Sequence, residues 1–116
     1  MQWIRSSNYT LSTGNRERII VCGDSAGGNL VAALTWLLKQ QQLPQVQFQV
    51  LLYAALANTK HEDEFESYKR FAKYGYFIDA NVRMKFSDFH FKGNTDLLHD
   101  VLAFPLNAEN FEGIPP

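Results

Sequence analysis

A short apolar run that ends in a glycine-flanked serine constrains the fold of this 116-residue chain more than any other feature. Residues 18–22 read RIIVC, and such a continuous β-branched and apolar run is typical of a parallel strand covered on both faces. The turn GDSAGG follows at residues 23–28, and apolar side chains then recur at helical spacing as far as Leu38. The sequence therefore predicts a strand, a tight turn and a helix in immediate succession.

A second strand follows this helix. Leu43 and Pro44 end the helix, because proline cannot continue one. From Val46 onward apolar and polar residues alternate before a continuous run at residues 51–53, so we expect a strand that starts half exposed and ends buried. The order strand, helix, strand predicts a parallel pair with a right-handed crossover. Residues 1–57 are therefore expected to form one β-α-β unit.

The rest of the chain reads as helices followed by an extended tail. Residues 64–73 and the segment after Asp79 carry aromatic side chains at helical spacing, so a helical region is expected at 58–102. Residues 103–116 hold three prolines and Gly113, and we interpret them as a linker to a strand outside this sequence. The predicted fold class is α/β, with one parallel β-α-β unit, additional helices and an incomplete sheet.

Composition and charge exclude several classes of function. The formal net charge is -1, so the chain lacks the basic stripe that neutralises phosphates, and we expect no nucleic-acid partner. No apolar run approaches the roughly 20 residues of a membrane-spanning helix, and the first residues lack the apolar centre of a signal peptide. A cytoplasmic location is therefore favoured. The single cysteine, Cys22, forbids an internal disulfide, and its position in a strand predicts a buried packing role.

The turn itself fits the pattern G-x-S-x-G, which is known as a nucleophile elbow when it joins a strand to a helix. In such an elbow Ser25 would present an exposed hydroxyl, and the backbone amide of Ala26, at the helix N-terminus, would face a developing oxyanion. Gly23 and Gly27 would let strand and helix approach without a clash of side chains.

Two other uses are known for a turn of this kind. Phosphate binding is disfavoured, because the chain has no Lys-Ser/Thr pair and no G-x-G-x-x-G, and because Asp24 would repel an anion. A purely structural turn stays open, since a five-residue pattern is permissive.

The elbow resembles the nucleophile segment of the hormone-sensitive-lipase group of α/β-hydrolases, which includes arylacetamide deacetylases and many microbial esterases. The resemblance rests on RIIVCGDSAGGNLVAAL, residues 18–34, and extends over nearly the whole chain. Three further segments are similar to the following strand, the cap region and the next linker of that group: VLLYAAL, SYKRFAKYGYFID and AFPLNAENFEGIPP. Ala54 stands where the group usually has proline, and Phe104 where it usually has serine.

This resemblance implies a partial α/β-hydrolase domain and a serine esterase mechanism. Ser25 would attack an ester carbonyl and form an acyl-enzyme that water hydrolyses, with Ala26 as an oxyanion donor. The elbow would comprise Gly23, Asp24, Gly27 and Gly28, and the cap segment would place Tyr76 and Phe77 in the acyl pocket. The implied substrate is a small-molecule ester, with no cofactor and no metal, and the oligomeric state, including a homo-oligomer, stays open.

Several parts of that enzyme are absent from the sequence. The group carries a histidine-glycine-glycine oxyanion segment before the elbow and a triad aspartate and histidine after it, and neither is found here. We therefore expect a chain cut at both ends and inactive by itself. The three histidines, His61, His90 and His99, fall in segments that resemble the cap or linker, so a packed or surface role is favoured over that of a base.

The aromatic residues of the cap segment allow two interpretations. Tyr68, Phe71 and Phe86, with Tyr76 and Phe77, would touch substrate if they line a pocket, but aromatics at helical spacing more often fill a core. The alternative function is a non-catalytic remnant that binds acyl ligands or a protein through exposed sheet edges and aromatic helices.

Overall fold

The computed structural model describes residue 6 and residues 14–58, 64–73 and 78–116. Two parallel strands, β1 (Ile20–Asp24) and β2 (Phe48–Leu52), flank helix α1 (Ala26–Gln40). In the register, Ile20 pairs with Phe48 and Asp24 pairs with Leu52, so the carboxyl ends of both strands lie at the same edge. The predicted β-α-β unit is confirmed.

Helix α1 packs on one face of this sheet. Its buried side runs through Gly28, Val31, Ala32, Thr35 and Leu38, at the spacing of one helical face. Beneath it lies a small core in which partly buried residues surround three buried ones: Ile19, Leu38 and Val46, with Val21, Leu34 and Leu43 around them. Of the leucines at helical spacing in α1, Leu38 is buried and Leu34 is partly buried as predicted, but Leu30 is 68% exposed and Leu37 is also exposed.

The opposite face of the sheet is exposed. The side chains of Ile19, just before β1, and of Val21 within it lie toward the core, so alternation along the strand turns Ile20 and Cys22 outward. Ile20 is 65% exposed and Cys22 is exposed as well, which corrects the expectation of a strand covered on both faces and of a buried cysteine. Leu52 is exposed too, so β2 does not end buried as predicted.

Two further helices follow β2. Helix α2 (Glu66–Phe71) is short, and helix α3 (Ala80–Phe91) begins after Asp79, whose carboxylate accepts a hydrogen bond from the Val82 amide at 2.9 Å. Asp79 therefore caps α3. Neither helix contains a buried residue. Phe71 and Phe86 are exposed, so the interpretation of the cap aromatics as core residues is wrong for these two, and Phe89 of the same helix as Phe86 is exposed as well.

The tail folds back onto the β-α-β unit. Two 3-10 turns, Thr95–His99 and Pro105–Asn107, bracket a buried Phe104. The side chain of Asn58, only 1% exposed, donates to the Leu98 carbonyl oxygen at 2.7 Å. These contacts fix residues 95–107 against the loop that follows β2.

The last residues of the tail lie along the free edge of β2. The amide of Gln49 donates to the Pro116 carbonyl at 2.8 Å, and the Gln49 side-chain amide donates to the Pro115 carbonyl at 2.7 Å. The segment 103–116, which the sequence predicts to be an extended linker, thus contains a helical turn and ends beside the sheet. Among the helices of the described residues, none is long and apolar enough to cross a membrane.

Candidate active site

Ser25 lies between β1 and α1 with φ 50° and ψ -118°. This is a region that glycine enters freely and other residues rarely adopt, and such strained backbone persists only where its surroundings hold it. The Ser25 amide donates to the Leu52 carbonyl at 2.9 Å, which extends the pairing of the two strands by one residue. The Ser25 carbonyl accepts from the amides of Asn29 at 3.2 Å and Ala55 at 3.3 Å. Three hydrogen bonds therefore hold the strained residue in place.

Two glycines make this elbow sterically possible. A Cβ added at Gly23 would fall on the carbonyl group of Gly27 and 2.8 Å from the amide nitrogen of Gly28. A Cβ added at Gly28 would lie 3.1 Å from the Cα of Ala54 and in contact with its Cβ. At Gly27 an added Cβ would meet only a carboxylate oxygen of Asp24, at 3.8 Å. Close approach of strand and helix thus depends on Gly23 and Gly28, whereas Gly27 has room for a methyl group.

The N-terminus of α1 adjoins the serine. Ala26 is the first residue of the helix and is exposed, and the first amides of a helix have no carbonyl partner within it. Those amides and the helix dipole favour negative charge. In the described part of the chain, the Ser25 side chain makes no capping hydrogen bond to these amides. Helix geometry therefore leaves amide donors beside the serine for a ligand oxygen.

Asp24 and Tyr53 form a second contact at the carboxyl ends of the strands. The Tyr53 hydroxyl donates to a carboxylate oxygen of Asp24 at 3.1 Å, and Tyr53 itself has a positive φ of 38°. Hydrogen bonding to the Asp24 carboxylate, together with its negative charge, raises the pKa of Tyr53. The carboxylate next to the serine is thus held by the neutral phenol.

The histidines of the described chain lie on other elements than the elbow. His90 is near the end of α3, with its ring in edge contact with Phe91 at a centroid distance of 4.6 Å, and His99 ends the first 3-10 turn. His61 lies outside the described residues. Among the residues the structure describes, no group of three or more His, Cys, Asp or Glu side chains could hold a metal ion.

A cleft of about 470 Å³ begins next to the elbow. One wall is the loop at residues 54–57, whose Ala55 backbone amide donates a hydrogen bond to the Ser25 carbonyl. The other walls come mainly from the two helices and the tail: Phe65, Tyr68, Phe71, Ile78, Arg83 and Leu106. Most of the lining is apolar, so the cleft fits a hydrocarbon group.

The cleft contains two of the aromatics that the sequence suggests as pocket residues, Tyr68 and Phe71. Phe86 is not part of its lining, and Tyr76 and Phe77 lie outside the described residues. The guanidinium of Arg83 stacks over the Tyr68 ring at 5.1 Å, and burial lowers the pKa of Arg83. One cationic side chain therefore lines a mostly apolar cleft.

Sequence reasoning missed Asn29. Its side-chain amide donates to the carbonyls of Ala55 and Ala103, each at 2.8 Å. The sequence carried one signal of this role. Asparagine has a low helix propensity because its side chain competes for backbone hydrogen bonds, yet Asn29 lies near the start of the predicted helix.

Comparison with known proteins identifies the fold family of the chain. A family model described as alpha/beta hydrolase fold matches residues 1–116. The chain is 31% identical over 116 residues to an arylesterase of Saccharolobus solfataricus, an alignment that covers 97% of this chain and 35% of that protein.

Solved structures give the same result. A fungal esterase from Rhizomucor miehei superposes with a TM-score of 0.79 at 30% identity, over 93% of this chain and 32% of the esterase. A thermostable esterase from Pseudomonas putida gives a TM-score of 0.74 at 31% identity, over 87% of this chain and 31% of that one. The chain thus spans about a third of the length of these relatives. With every residue inside the family match, the chain belongs to the alpha/beta hydrolase fold family, in the group of hormone-sensitive lipase and arylacetamide deacetylase.

Proposed function

We propose that this chain is the nucleophile-bearing part of a serine carboxylic ester hydrolase. The observation that carries the proposal is the backbone of Ser25, which is strained and held by three hydrogen bonds directly before the N-terminus of α1. A purely structural turn has no need of a non-glycine residue at this φ, because glycine adopts it without strain. The esterases that share this fold with the chain support the same chemistry.

In the proposed reaction the Ser25 hydroxyl oxygen attacks the carbonyl carbon of an ester. The hydroxyl proton passes to a general base, and the carbonyl oxygen becomes an oxyanion that accepts a hydrogen bond from the Ala26 amide. The C–O bond to the alcohol then breaks, the alcohol leaves with the proton, and an acyl-serine is formed. Water attacks this acyl group in the reverse sequence of proton transfers and restores Ser25.

The acyl group would occupy the cleft beside the elbow. The loop at residues 54–57 lines the cleft, and its Ala55 amide donates to the Ser25 carbonyl, so the cleft adjoins the segment that holds the serine. The general base and its acid are proposed to come from parts of the native polypeptide other than the described residues. Residues 1–116 alone are accordingly expected to hydrolyse esters no faster than buffer.

The test is to isolate the native polypeptide that carries the sequence VCGDSAGGNL and measure its intact mass and its reaction with a fluorophosphonate. We expect a mass well above 13.3 kDa and one phosphonylated serine, Ser25. Ser25→Ala should lower kcat for a p-nitrophenyl ester by about 10³-fold or more, since a missing nucleophile removes the acyl-enzyme route. An unlabelled Ser25, or an active Ser25→Ala variant, would disprove the proposal.

A second function is supported by the exposed apolar side of the sheet. Ile20, Phe48 and Leu52 are exposed side chains on the two strands, and apolar surface of this kind is typical of binding sites. A native polypeptide of 13.3 kDa that unfolds cooperatively and binds fatty acids without hydrolysing esters would favour this binding function over catalysis.

A further inference from the structure

Asn29 joins three segments that are far apart in the sequence. It lies in the first turn of α1, four residues after the serine, and its side-chain nitrogen donates to Ala55 in the loop after β2 and to Ala103 in the tail. Both distances are 2.8 Å, which is short for an amide donor. One side chain thus ties the helix to both segments.

The same residue is part of a closed ring of hydrogen bonds around the nucleophile. The backbone amides of Asn29 and Ala55 both donate to the Ser25 carbonyl, and the Ala55 carbonyl accepts from the side-chain amide of Asn29. Movement of the loop therefore strains either the contact to Ser25 or the contact to Asn29. The ring fixes the loop relative to the nucleophile's own backbone.

The loop and the tail are also walls of the cleft. Residues 54–57 line it directly, and Leu106, which lines it as well, donates its amide to the Leu56 carbonyl at 3.1 Å. Ala103 precedes the buried Phe104, so the second bond from Asn29 holds the start of this part of the tail. The position of these cleft walls relative to Ser25 is consequently held by Asn29 together with the Ala55 amide.

We propose that Asn29 is a positioning residue that determines how well acyl chains long enough to enter the cleft are aligned with Ser25. The inference rests on the proposed esterase function. In this proposal an acetyl group is too short to extend along the cleft and depends on the elbow alone, whereas the alignment of a hexanoyl group depends on the position of the loop as well. Asn29 therefore contributes to the preference for acyl length.

The side chain suits this task for a chemical reason. An amide nitrogen carries two protons, and each is directed to one carbonyl acceptor. Aspartate has the same shape, but its carboxylate has no proton to donate and would face two carbonyl oxygens. Asn29→Asp and Asn29→Ala should therefore both release the loop, the first by repulsion and the second by loss of the donor.

The test measures kcat and KM of the native polypeptide for p-nitrophenyl acetate and p-nitrophenyl hexanoate, with active sites counted by titration. In Asn29→Ala we expect kcat/KM for the hexanoate to fall at least tenfold more than kcat/KM for the acetate, largely through KM. Thr35→Val serves as the matched control. Thr35 is a fully buried residue of the same helix whose hydroxyl donates to the Ala32 carbonyl at 2.8 Å, remote from the cleft.

The control should lower Tm without changing the ratio between the two esters. If Asn29→Ala lowers both esters equally, as a general loss of stability would, the inference is wrong and the proposed function stands. If the native polypeptide has no esterase activity, hydrogen exchange still tests the positioning role. Faster exchange of the Ala55 amide in Asn29→Ala but not in Thr35→Val is expected, and unchanged exchange would overturn the role of Asn29.

Discussion

At the scale of single residues, the fold holds the backbone of Ser25 in a conformation that a non-glycine residue rarely adopts by itself. Its φ of 50° and ψ of -118° are unfavourable for any residue with a Cβ, at a price of about 1–3 kcal/mol. Hydrogen bonds from the Ser25 amide to Leu52 and from Asn29 and Ala55 to the Ser25 carbonyl keep this conformation. The strain persists because the fold holds it, and it keeps the serine at the tip of the turn.

This strain predicts that Ser25→Gly stabilises the protein. Glycine removes the unfavourable φ but has more freedom when unfolded, so we expect a net gain of about 1 kcal/mol in the free energy of unfolding. Ser25→Ala, which keeps a Cβ, should show no such gain. Urea unfolding of the two purified variants compares them directly, and a Ser25→Gly protein no more stable than Ser25→Ala would contradict a strained elbow.

Alanine substitutions at two glycines of the elbow are expected to change the free energy of unfolding in opposite directions. Gly27→Ala should raise the free energy of unfolding by about 0.5–1 kcal/mol, since alanine favours a helix and the added methyl has room. Gly28→Ala should lower it by about 1–3 kcal/mol, since the methyl would collide with Ala54. The measurement is again chemical unfolding, and equal effects at the two positions would show that the close approach lies elsewhere.

At the scale of elements, β1 and β2 could be predicted because local patterns determine them. Continuous apolar residues at 18–22 and alternation from Val46 give the strands, and the leucines between them give α1. Burial could not be predicted in the same way. Ile20 and Cys22 look like core residues in the sequence, yet their exposure depends on which other segments cover that face of the sheet.

The candidate site was predictable to a similar degree. The pattern G-x-S-x-G indicates Ser25 and Ala26, because it encodes a turn with one backbone geometry. The side chain of Asn29 contacts Ala55 and Ala103, and that of Tyr53 contacts Asp24. These partners are distant in sequence, so no local pattern could indicate the contacts.

The hydrogen bond from Tyr53 to Asp24, at the carboxyl ends of the two strands, predicts how the pKa of Tyr53 responds to substitution of Asp24. The Asp24 carboxylate raises the pKa of Tyr53, so Asp24→Asn should move that pKa down toward the ordinary phenol value of about 10. Any stability from this pair is present below the ordinary value and is lost as the pH rises through the raised one. Ultraviolet titration, with Tyr53→Phe subtracted to isolate this phenol, measures the shift. Identical curves for wild type and Asp24→Asn would mean that the hydrogen bond does not form in solution.

At the scale of the whole molecule, the two prolines beside β2 have a consequence for aggregation. Pro115 and Pro116 accept hydrogen bonds from Gln49, but neither has an amide proton to offer to another strand. A segment of this kind covers part of a sheet edge without itself becoming a template for further pairing. Within the described residues the tail thus covers the edge of β2 at Gln49 without offering an amide proton of its own, so a strand of another molecule cannot pair with β2 at that position.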